Sequence, residues 1–433
     1  AGINVTASHN PKEYNGYKAY WTDGSQVTAP HDRNIIAEVE KITSIDQILT
    51  GANPGNITLL GEEFDEIYLN KVHTLSLSPE SVGKFHDMKI AYTPLHGAGV
   101  RLVPASLRKW GFTNVSLVEE QAVIDGNFPT VESPNPEERK TMAKAIELGS
   151  RLGADLVLAT DPDSDRIGVA LRNAKGEYVL LNGNQTLSLI MAYQLTRWSE
   201  LGRLDDKEFV VKTIVTSQMP NVMAAHFGVK CYDCLTGFKY IARIIRNNEG
   251  KATYIGGGEE SFGYLAGDFV RDKDAVSACS LVAEAAAWTR DTMGLTLYEW
   301  LQKFGFFREG LVSVVRKGME GAAEIQQMMV DYRADPPREI AGSPVVKIND
   351  FKLLESTDVR TGAKTPIEEE ASNVLQWFAA DGTVVSVRPS GTEPKIKFYF
   401  GVRAELESVA DFDRVEVGLD AKIETIKKEL KLV

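Results

Sequence analysis

Short runs of β-branched and apolar residues alternate along the chain with stretches in which apolar residues recur every three or four positions. The clearest helical stretch is Gly99–Trp110, where valine, leucine and tryptophan share one face and Gly111 supplies the stop. The same two patterns predict a helix from Pro136 to about Leu152, and buried strands at Met88–Thr93, Val115–Val118, Asp155–Thr160 and Ile167–Leu171.

The alternation resumes after about residue 205. Strands that alternate with helices are typical of parallel sheets built from βαβ units, so this part of the chain is expected to be α/β as well. The strands are predicted at Glu208–Val215, Val229–Tyr232 and Ala252–Ile255, and the helices at Met219–Phe227, Phe238–Asn247 and Asp274–Met293.

From about Asp335 the pattern changes, first with two consecutive prolines and then with a strand-rich stretch. Strands are predicted at Val384–Val387 and Ile396–Val402, joined by a tight turn. A closing helix is predicted near Asp411–Leu430. These features indicate a separate α+β domain at the end of the chain.

Composition excludes several classes of protein. A net charge of −12 argues against binding to nucleic acid or to an anionic membrane surface. No apolar run reaches the roughly 18 residues that cross a bilayer, and no secretory leader is expected. Only three cysteines occur, so no disulfide framework is implied and a cytoplasmic location is expected. The Cys231–Cys234 pair could be a redox or metal motif, but we interpret it as two strand-end cysteines.

Three aspartates at alternate positions, Asp161, Asp163 and Asp165, follow the predicted strand at Asp155–Thr160. Carboxylates that converge at a strand end can bind one hard cation. A solvated acidic turn is the weaker interpretation, because three like charges within five residues repel one another unless a cation compensates. Arg166, directly after them, is suited to phosphate oxygens.

Two other acidic-loop chemistries do not fit these positions. A calcium EF-hand that starts at Asp161 needs glycine sixth and glutamate twelfth, where this chain has Arg166 and Arg172. An aspartyl-phosphate enzyme of the D-x-D-x-T type would have threonine or valine in place of Asp165. Its nucleophile would be Asp161, which a three-carboxylate metal site would occupy.

A polar loop near the start reads T-A-S-H-N-P and is followed by Y-N-G-Y-K. It contains Ser8, a candidate phosphate carrier, with His9 and Lys18 as candidate proton-handling and charge-stabilising neighbours. Taken alone this pattern is weak, because adjacent residues rarely pair productively as nucleophile and base.

Two further loops suit a sugar and a phosphate. The segment G-G-G-E-E-S-F-G at residues 256–263 combines a flexible backbone with Glu259 and Ser261, which suit sugar hydroxyls, whereas the phosphate-binding G-x-x-x-x-G-K motif is absent. The segment R-P-S-G-T-E-P-K at residues 388–395 is a dense anion-binding turn, or otherwise a hairpin loop with incidental charge. Weaker candidates are Thr236, which could be a simple N-cap, and His96, which could act through other residues.

Together, T-A-S-H-N-P, D-P-D-S-D-R, G-E-E-S-F-G and R-P-S-G-T-E-P-K resemble the signatures of the α-D-phosphohexomutase family of phosphoglucomutases and phosphomannomutases, in the family's order. Two segments, N-P-K-E-Y-N-G-Y-K-A-Y-W and P-L-H-G-A-G, are most similar to the sequences of the phosphoglucomutase-2 branch. The resemblance implies a magnesium-dependent enzyme that moves phosphate between positions 1 and 6 of a hexose phosphate, glucose or mannose, through phospho-Ser8 and a sugar 1,6-bisphosphate.

The resemblance also implies a role for each matching residue. Ser8, His9, Lys18 and Arg166 would be catalytic, and Ser8 would hold Mg²⁺ together with Asp161, Asp163 and Asp165. The residues that would bind the sugar and its non-reacting phosphate are Thr236, Gly237, Glu259, Ser261, Lys273, Arg388, Ser390, Gly391, Thr392 and Lys395.

Four domains follow from the resemblance: an α/β domain I remainder at 1–80, α/β domains II and III at 81–204 and 205–335, and an α+β domain IV at 336–433. Members of the family carry part of domain I before the serine loop, including a substrate-contacting arginine, so domain I is expected to lack its start here. A phosphopentomutase, a sugar bisphosphate synthase, a phosphatase and a non-catalytic sugar-phosphate-binding paralogue are the alternatives. No nucleic acid, membrane or obligatory protein partner is expected.

Overall fold

The computed structural model describes residues 1–51, 53–173, 175–316, 318–390 and 394–432. The chain divides into two compact units, and each is described by itself. The first comprises Ala1–Lys212, Met223–Tyr232 and Gly237–Tyr298, and the second Thr213–Val222, Asp233–Thr236 and Glu299–Val433. In the described part of the chain, no helix combines the length and the apolar character needed to cross a membrane.

The first part of the chain is a two-stranded antiparallel ribbon followed by three helices. In the ribbon Asn4 lies opposite Lys18, so the strand that leads into the Ser8 loop pairs with the strand that carries the lysine. The elements are β1 (Gly2–Val5), β2 (Tyr17–Tyr20), α1 (His31–Val39), α2 (Glu62–His73) and α3 (Pro79–Lys84).

A five-stranded sheet follows, with elements β3 (Ile90–Thr93), α4 (Gly99–Trp110), β4 (Val115–Leu117), α5 (Ala143–Leu152), β5 (Leu156–Thr160), β6 (Ile167–Arg172) and β7 (Tyr178–Leu180). Its strand order is β4-β3-β5-β6-β7. Strand β3 is parallel to β4 and β5, but β5, β6 and β7 run antiparallel. The predicted parallel sheet is therefore mixed, because the short loop after β5 contains no crossover helix and can only turn the chain back.

The helix predicted from Pro136 begins only at Ala143. Turns replace its first part, because side chains there bond outside the segment. Glu137 accepts a hydrogen bond from Arg166 Nη1 at 3.0 Å, and Thr141 Oγ1 donates to the Ser133 carbonyl at 2.9 Å. These hydrogen bonds engage side chains that would lose their partners if the helix began at Pro136.

The next part has elements α6 (Gly183–Glu200), β8 (Glu208–Thr213), α7 (Met219–His226), β9 (Lys230–Cys234), α8 (Phe238–Asn248), β10 (Thr253–Gly258), β11 (Tyr264–Ala266), α9 (Ala275–Met293) and α10 (Leu297–Gln302). The strand order is β11-β10-β8-β9, with β8 and β10 parallel and β11 antiparallel to β10. Strand β10 runs through the three glycines beyond Ile255, the end predicted for it.

The C-terminal part is an antiparallel sheet with two long helices, as the strand-rich pattern predicts. Its elements are β12 (Phe307–Val315), α11 (Gly318–Ala334), β13 (Glu339–Ile340), β14 (Ser343–Asp350), β15 (Glu355–Asp358), β16 (Lys364–Pro366), β17 (Leu375–Ala379), β18 (Val384–Pro389), β19 (Lys395–Arg403) and α12 (Phe412–Glu429). The order is β12-β19-β18-β17-β14-β15-β16, with β13 paired to β14. Helix residues Ile325, Met329 and Ile423 share one buried core with the strand residues Trp377 and Phe398. In the described ranges, 3₁₀ turns occur at Ile45–Gln47, Pro54–Asn56, Glu119–Gln121 and Val409–Asp411.

Candidate active site

The loop between β5 and β6 gathers the three predicted aspartates. Asp161 fixes this loop, since its Oδ1 accepts hydrogen bonds from the backbone N–H groups of Asp165 and Arg166, both at 3.0 Å. Ser164 has a left-handed φ of 56°, which lets the loop close tightly. As a result, one carboxylate oxygen from each of Asp161, Asp163 and Asp165 lies within 4.8 Å of the others.

Two of these carboxylates have an oxygen suited to a cation. Oδ1 of Asp163 and Oδ1 of Asp165 are buried and have no hydrogen-bond partner among the described residues. A buried charged oxygen without a partner is costly, and an ion is one of the few groups that can compensate it. Carboxylate oxygens are also the ligands that Mg²⁺ prefers, so the residues present fit a divalent cation. We refer to Asp161, Asp163 and Asp165 as the aspartate cradle.

The electrostatics of the cradle favour a bound cation. Burial, together with repulsion from Asp165 and Asp163, raises the pKa of Asp161 well above its usual range. Burial also opposes ionisation of Asp163, but the charge of Lys18 and the hydrogen bonds with Asp161, Lys18 and Thr6 together outweigh burial and hold the pKa of that carboxyl below the usual value. Asp161 therefore resists carrying a negative charge beside the other two carboxylates unless positive charge is supplied.

The loop of Ser8 lies directly against the cradle. Ser8 Oγ donates a hydrogen bond to Asp161 Oδ2 at 3.1 Å, and Ser8 has a left-handed φ of 54°. Thr6 holds the loop in place, because its Oγ1 accepts from Ser8 N–H at 2.8 Å and donates to Asp163 Oδ2 at 3.1 Å. Strained backbone of this kind persists only where several contacts determine it, and it is frequent at functional sites.

His9 contacts Ser8 in spite of being its neighbour in sequence. Its Nδ1 lies 3.2 Å from Ser8 Oγ, so the expectation that adjacent residues rarely pair does not hold here. Burial, and then the charge of Arg166, lowers the pKa of His9 to about 4. The ring is therefore neutral at physiological pH.

Two lysines supply positive charge at the cradle. Lys18 Nζ bridges Asp163 Oδ2 at 2.9 Å and Asp165 Oδ2 at 2.6 Å, and Lys273 Nζ lies 3.2 Å from Asp165 Oδ2. Burial opposes the charge of Lys18, but the attraction of Asp165 and Asp163 together outweighs burial and raises the pKa of Lys18. A lysine that acts as a base needs a lowered pKa. The ammonium form favoured here suits a proton donor or a charge stabiliser.

Arg166 connects the cradle to the predicted sugar loop. Its Nη1 donates to Glu137 Oε1 at 3.0 Å, and its backbone bridges to Gly263. The next residue, Ile167, donates its N–H to the carbonyl of Phe262 at 3.0 Å. These backbone contacts place the turn between β10 and β11 beside the loop that carries the aspartate cradle.

The predicted sugar loop is that turn, and it brings Glu259, Ser261, Gly237 and Lys273 to the same side of the first unit. Glu259 Oε1 accepts a hydrogen bond from Gly237 N–H at 2.9 Å, at the start of α8. A Cβ built on Gly263 would overlap the side chain of Lys273, so the lysine stem lies against this glycine.

A second glycine fixes the same turn from the other side. A Cβ on Gly183, the first residue of α6, would overlap the carbonyl of Glu260 in the turn. The helix and the turn therefore approach each other at a distance that only glycine allows.

The remaining predicted residues lie in the second unit or outside the described ranges. Thr236 belongs to the second unit. Arg388 and Ser390 lie where β18 ends and Lys395 where β19 begins, and Ser390 N–H donates to the Lys395 carbonyl at 2.7 Å. Gly391 and Thr392 fall outside the described residues. The roles expected for all of these stay predictions.

Sequence reasoning missed three residues that hold the site together. Thr6 bonds both Ser8 and Asp163, Glu137 pairs with Arg166, and Ser133 Oγ donates to the His9 carbonyl at 3.2 Å. Each is far in sequence from at least one of its partners; Thr6 lies within the T-A-S-H-N-P motif but was given no role, and Ser133 and Glu137 lie in no motif.

Comparison with known proteins identifies four matching domains. The family models for phosphoglucomutase/phosphomannomutase match in order: α/β/α domain I at residues 1–46, α/β/α domain II at 66–176, α/β/α domain III at 182–304 and the C-terminal domain at 346–417. The expected fold class, three α/β domains followed by an α+β domain, is confirmed.

Curated relatives match almost the whole chain. A phosphoglucomutase of Staphylococcus aureus strain MRSA252 is 34% identical over 431 residues, which cover 98% of this chain and 75% of that protein. The phosphoglucomutase of strain N315 is 35% identical with the same coverage.

Solved structures share the fold at lower identity. A phosphomannomutase from Thermus thermophilus has a TM-score of 0.68 at 19% identity, covering 99% of this chain and 78% of that one. The Paramecium phosphoglucomutase pp63/parafusin has a TM-score of 0.63 at 17% identity, covering 99% and 77%. The family models and the curated relatives define the chain as an enzyme of the intramolecular phosphotransferase class, a mutase. It belongs to the phosphoglucomutase/phosphomannomutase family.

Proposed function

We propose that this chain is a magnesium-dependent phosphosugar mutase in which Ser8 carries the transferred phosphate. The observation that supports this most directly is the position of Ser8 Oγ, 3.1 Å from Asp161 Oδ2 at the edge of the aspartate cradle. A hydroxyl beside a divalent-cation site is the arrangement that phosphoryl transfer requires, because positioning and charge stabilisation supply most of its catalysis.

In the proposed reaction, a hydroxyl oxygen of the sugar monophosphate attacks the phosphorus of phospho-Ser8. The bond from phosphorus to Ser8 Oγ breaks, the hydroxyl proton ends on Ser8 Oγ, and a sugar bisphosphate forms. In the second half, Ser8 Oγ attacks the phosphorus of the other phosphate, the bond from that phosphorus to the sugar oxygen breaks, and the serine proton ends on that oxygen. This step regenerates phospho-Ser8 and releases the isomeric sugar monophosphate. The nearby cations Lys18 and Arg166 stabilise charge on the oxygens, and Lys18 is positioned to donate a proton.

Asp161, Asp163 and Asp165 would hold Mg²⁺ together with the phosphate on Ser8. When bound, the ion would neutralise charge on the phosphoryl oxygens. The unpartnered Oδ1 atoms of Asp163 and Asp165 support this assignment, because they offer buried negative charge that no described residue satisfies.

The proposed substrate is a hexose phosphate, glucose first and mannose second, with glucose 1,6-bisphosphate as activator. The relatives called phosphoglucomutases support glucose. Glu259 and Ser261 would contact sugar hydroxyls, and the Arg388–Lys395 turn would bind phosphate. Among the described residues the cysteines form no disulfide, which suits the cytoplasmic location that we propose.

The test is transfer of radioactive phosphate from labelled glucose 1,6-bisphosphate to the protein, followed by peptide mapping. We expect label on the peptide that contains Ser8, none in Ser8→Ala, and mutase turnover of that variant at background while glucose 6-phosphate still binds. Ser150→Ala, which changes a serine on the exposed side of α5, should label and turn over like the wild type. Full turnover by Ser8→Ala would overturn the proposal.

The substrate is tested separately by coupled assays on the 1-phosphates of glucose, mannose and ribose, with and without catalytic glucose 1,6-bisphosphate. Activation by the bisphosphate at constant total phosphate ester is the result expected of a mutase. Net consumption of another phosphate donor would indicate a bisphosphate synthase, and release of free phosphate would indicate a phosphatase.

A further inference from the structure

His96 lies in the segment Pro94–Gly99 that joins β3 to α4, outside the groups that would react. It is 2% exposed, and both Leu95 and His96 have left-handed φ values, 47° and 62°. Two consecutive non-glycine residues in this conformation are costly and persist only where the surroundings fix them. The sequence marked this histidine as a candidate to act through other residues, and the structure shows which ones.

The hydrogen bonds of His96 determine its tautomer. Nδ1 lies 2.9 Å from the carbonyl oxygen of Val123, which can only accept, so Nδ1 carries the hydrogen. Nε2 lies 2.8 Å from Thr130 Oγ1, which already accepts a hydrogen bond from Gln121 Nε2 at 2.9 Å. In the neutral ring with hydrogen on Nδ1, Nε2 can only accept, so the Thr130 hydroxyl donates to it. Thr93 extends this chain of hydrogen bonds, because its hydroxyl donates to Gln121 Oε1 at 2.7 Å.

The residues after His96 lie directly against the loop between β5 and β6, which carries the aspartate cradle. Ala98 N–H donates to the carbonyl of Pro162 at 2.9 Å, and a Cβ on Gly97 would overlap Pro162 Cα. Pro162 stands between Asp161 and Asp163 in the chain. A shift of the Gly97–Ala98 backbone must therefore move the backbone that carries these two carboxylates.

The partners of His96 lead in the other direction to the loop of Ser8. Thr130 lies close in sequence to Ser133, which donates to the His9 carbonyl at 3.2 Å. Ser133 is itself anchored, because its own carbonyl accepts from Thr141 Oγ1 at 2.9 Å. His96 thus connects the Gly97–Ala98 segment, which contacts the loop of the aspartate cradle, with the Thr130–Ser133 segment, which bonds the residue after Ser8.

We infer that His96, as its Nδ1–H tautomer, is a positioning residue that sets the spacing between the Ser8 loop and the aspartate cradle. This rests on the proposed function, in which Ser8 and the cradle act together. His96 makes no contact with the reacting groups. Its replacement should loosen both loops at once, because its ring nitrogens bond Val123 and Thr130 on one side, whereas the backbone after it packs against Pro162 on the other. Groups that support metal ligands from outside typically change metal affinity by about 10–100-fold.

The test uses the full chain with Mn²⁺ as a spin probe for the cradle, titrated by electron paramagnetic resonance. His96→Asn keeps a donor near Nδ1 and His96→Gln keeps an acceptor near Nε2, so each retains half of the connection. We expect Mn²⁺ affinity about tenfold weaker in both variants, with kcat lowered and KM for the sugar phosphate nearly unchanged. His86→Gln, at an exposed histidine, is the matched control and should behave like the wild type.

Thr130→Val removes only the hydroxyl, so it tests the inference even if the histidine variants do not fold. It should weaken Mn²⁺ binding in the same direction, and ¹⁵N NMR of wild-type His96 should show hydrogen on Nδ1 alone. Wild-type Mn²⁺ affinity in folded His96→Gln, His96→Asn and Thr130→Val, or hydrogen on Nε2, would overturn the inference. Asp163→Asn separates this from the proposed function: undiminished Mn²⁺ binding there would contradict the cradle itself, whatever the His96 variants do.

Discussion

Lys18 occupies a position at which its charge has two opposite effects. Its ammonium bonds Asp163 Oδ2 and Asp165 Oδ2, so it satisfies cradle oxygens that would otherwise attract a metal ion more strongly. In the proposed reaction, the same ammonium would stabilise charge on the transferred phosphoryl group. Metal affinity and turnover are therefore expected to respond differently to the loss of this one group.

Lys18→Met keeps the length of the side chain and removes the charge. We expect divalent-ion binding, measured by Mn²⁺ titration, to become several-fold tighter, because a competing cation has gone. Turnover should fall by about 10²–10⁴-fold, the contribution typical of a positioned proton donor. Lys41→Met changes an exposed lysine on the surface and should alter neither quantity. Weaker metal binding in Lys18→Met would contradict the competition described here.

At the scale of residues, local motifs marked the candidate catalytic groups but not the residues that place them. Ser8, Asp161 and Lys18 belong to dense local motifs, and the structure brings them together. Ser133 and Glu137 lie in no such motif, and their roles arise only from contacts between segments distant in the chain.

At the scale of elements, helix α9 supports the start of α3 through one buried carboxylate. Glu284 is fully buried and accepts hydrogen bonds from the backbone N–H groups of Leu77 and Ser78, at 2.9 Å each, and from the hydroxyl of Ser76. In the protein interior these three hydrogen-bond donors have few other acceptors. Burial nevertheless dominates and raises the pKa of Glu284 above its usual 4.5.

The raised pKa gives the stability of the protein a defined dependence on pH. The native state binds the Glu284 proton more tightly than the unfolded chain, so this contribution is complete below about pH 4.5 and is lost as pH rises through the native pKa. Glu284→Gln cannot titrate. The free energy of unfolding of the wild type, relative to this variant, should therefore fall as pH rises above 4.5, by about 1.4 kcal/mol per unit of pKa shift.

Urea unfolding of both proteins at several pH values measures this difference. Glu147→Gln, at an exposed glutamate of α5, should show a nearly constant difference from the wild type. A wild-type advantage over Glu284→Gln that grows with pH would show that the native carboxylate is stabilised rather than burdened by its surroundings.

The elements predicted best were those with a one-sided pattern. Helix α4 matches its predicted bounds because it has one apolar face and ends at Gly111, whose φ is 116°. Helix α6 was missed because Thr186–Leu195 is buried on all sides and so shows no polar face. Strand direction could not be predicted either, because apolar runs look alike in parallel and antiparallel strands.

At the scale of the whole molecule, the two compact units have separate hydrophobic clusters. The cluster of the second unit includes Trp377 and Phe398, both fully buried, with Ile325 from α11. One cluster of the first unit includes Ala91, Val157 and Leu148. Since each unit contains buried apolar side chains of its own, the two are expected to differ in their resistance to unfolding.

Phe398→Ala tests this expectation. The lost packing should cost the second unit about 3–5 kcal/mol, the usual range for a buried phenylalanine. In hydrogen exchange followed by mass spectrometry, peptides from β17–β19 should lose protection, whereas those from β3 and β5 should keep it. Leu353→Ala, at a residue that is 61% exposed, is the control. Equal loss of protection in both units would show that they unfold together.

The contact between Gly183 and the Glu260 carbonyl has a practical consequence for engineering substrate preference. An exchange of the Glu259–Gly263 turn for that of another mutase would transfer the residues proposed to contact the sugar, but not the helix end on which the turn rests. If a library randomised this turn in a background where position 183 carried any side chain, the overlap would displace every member of the library. Specificity design in this fold should therefore treat the turn and the first residue of α6 as one exchangeable part.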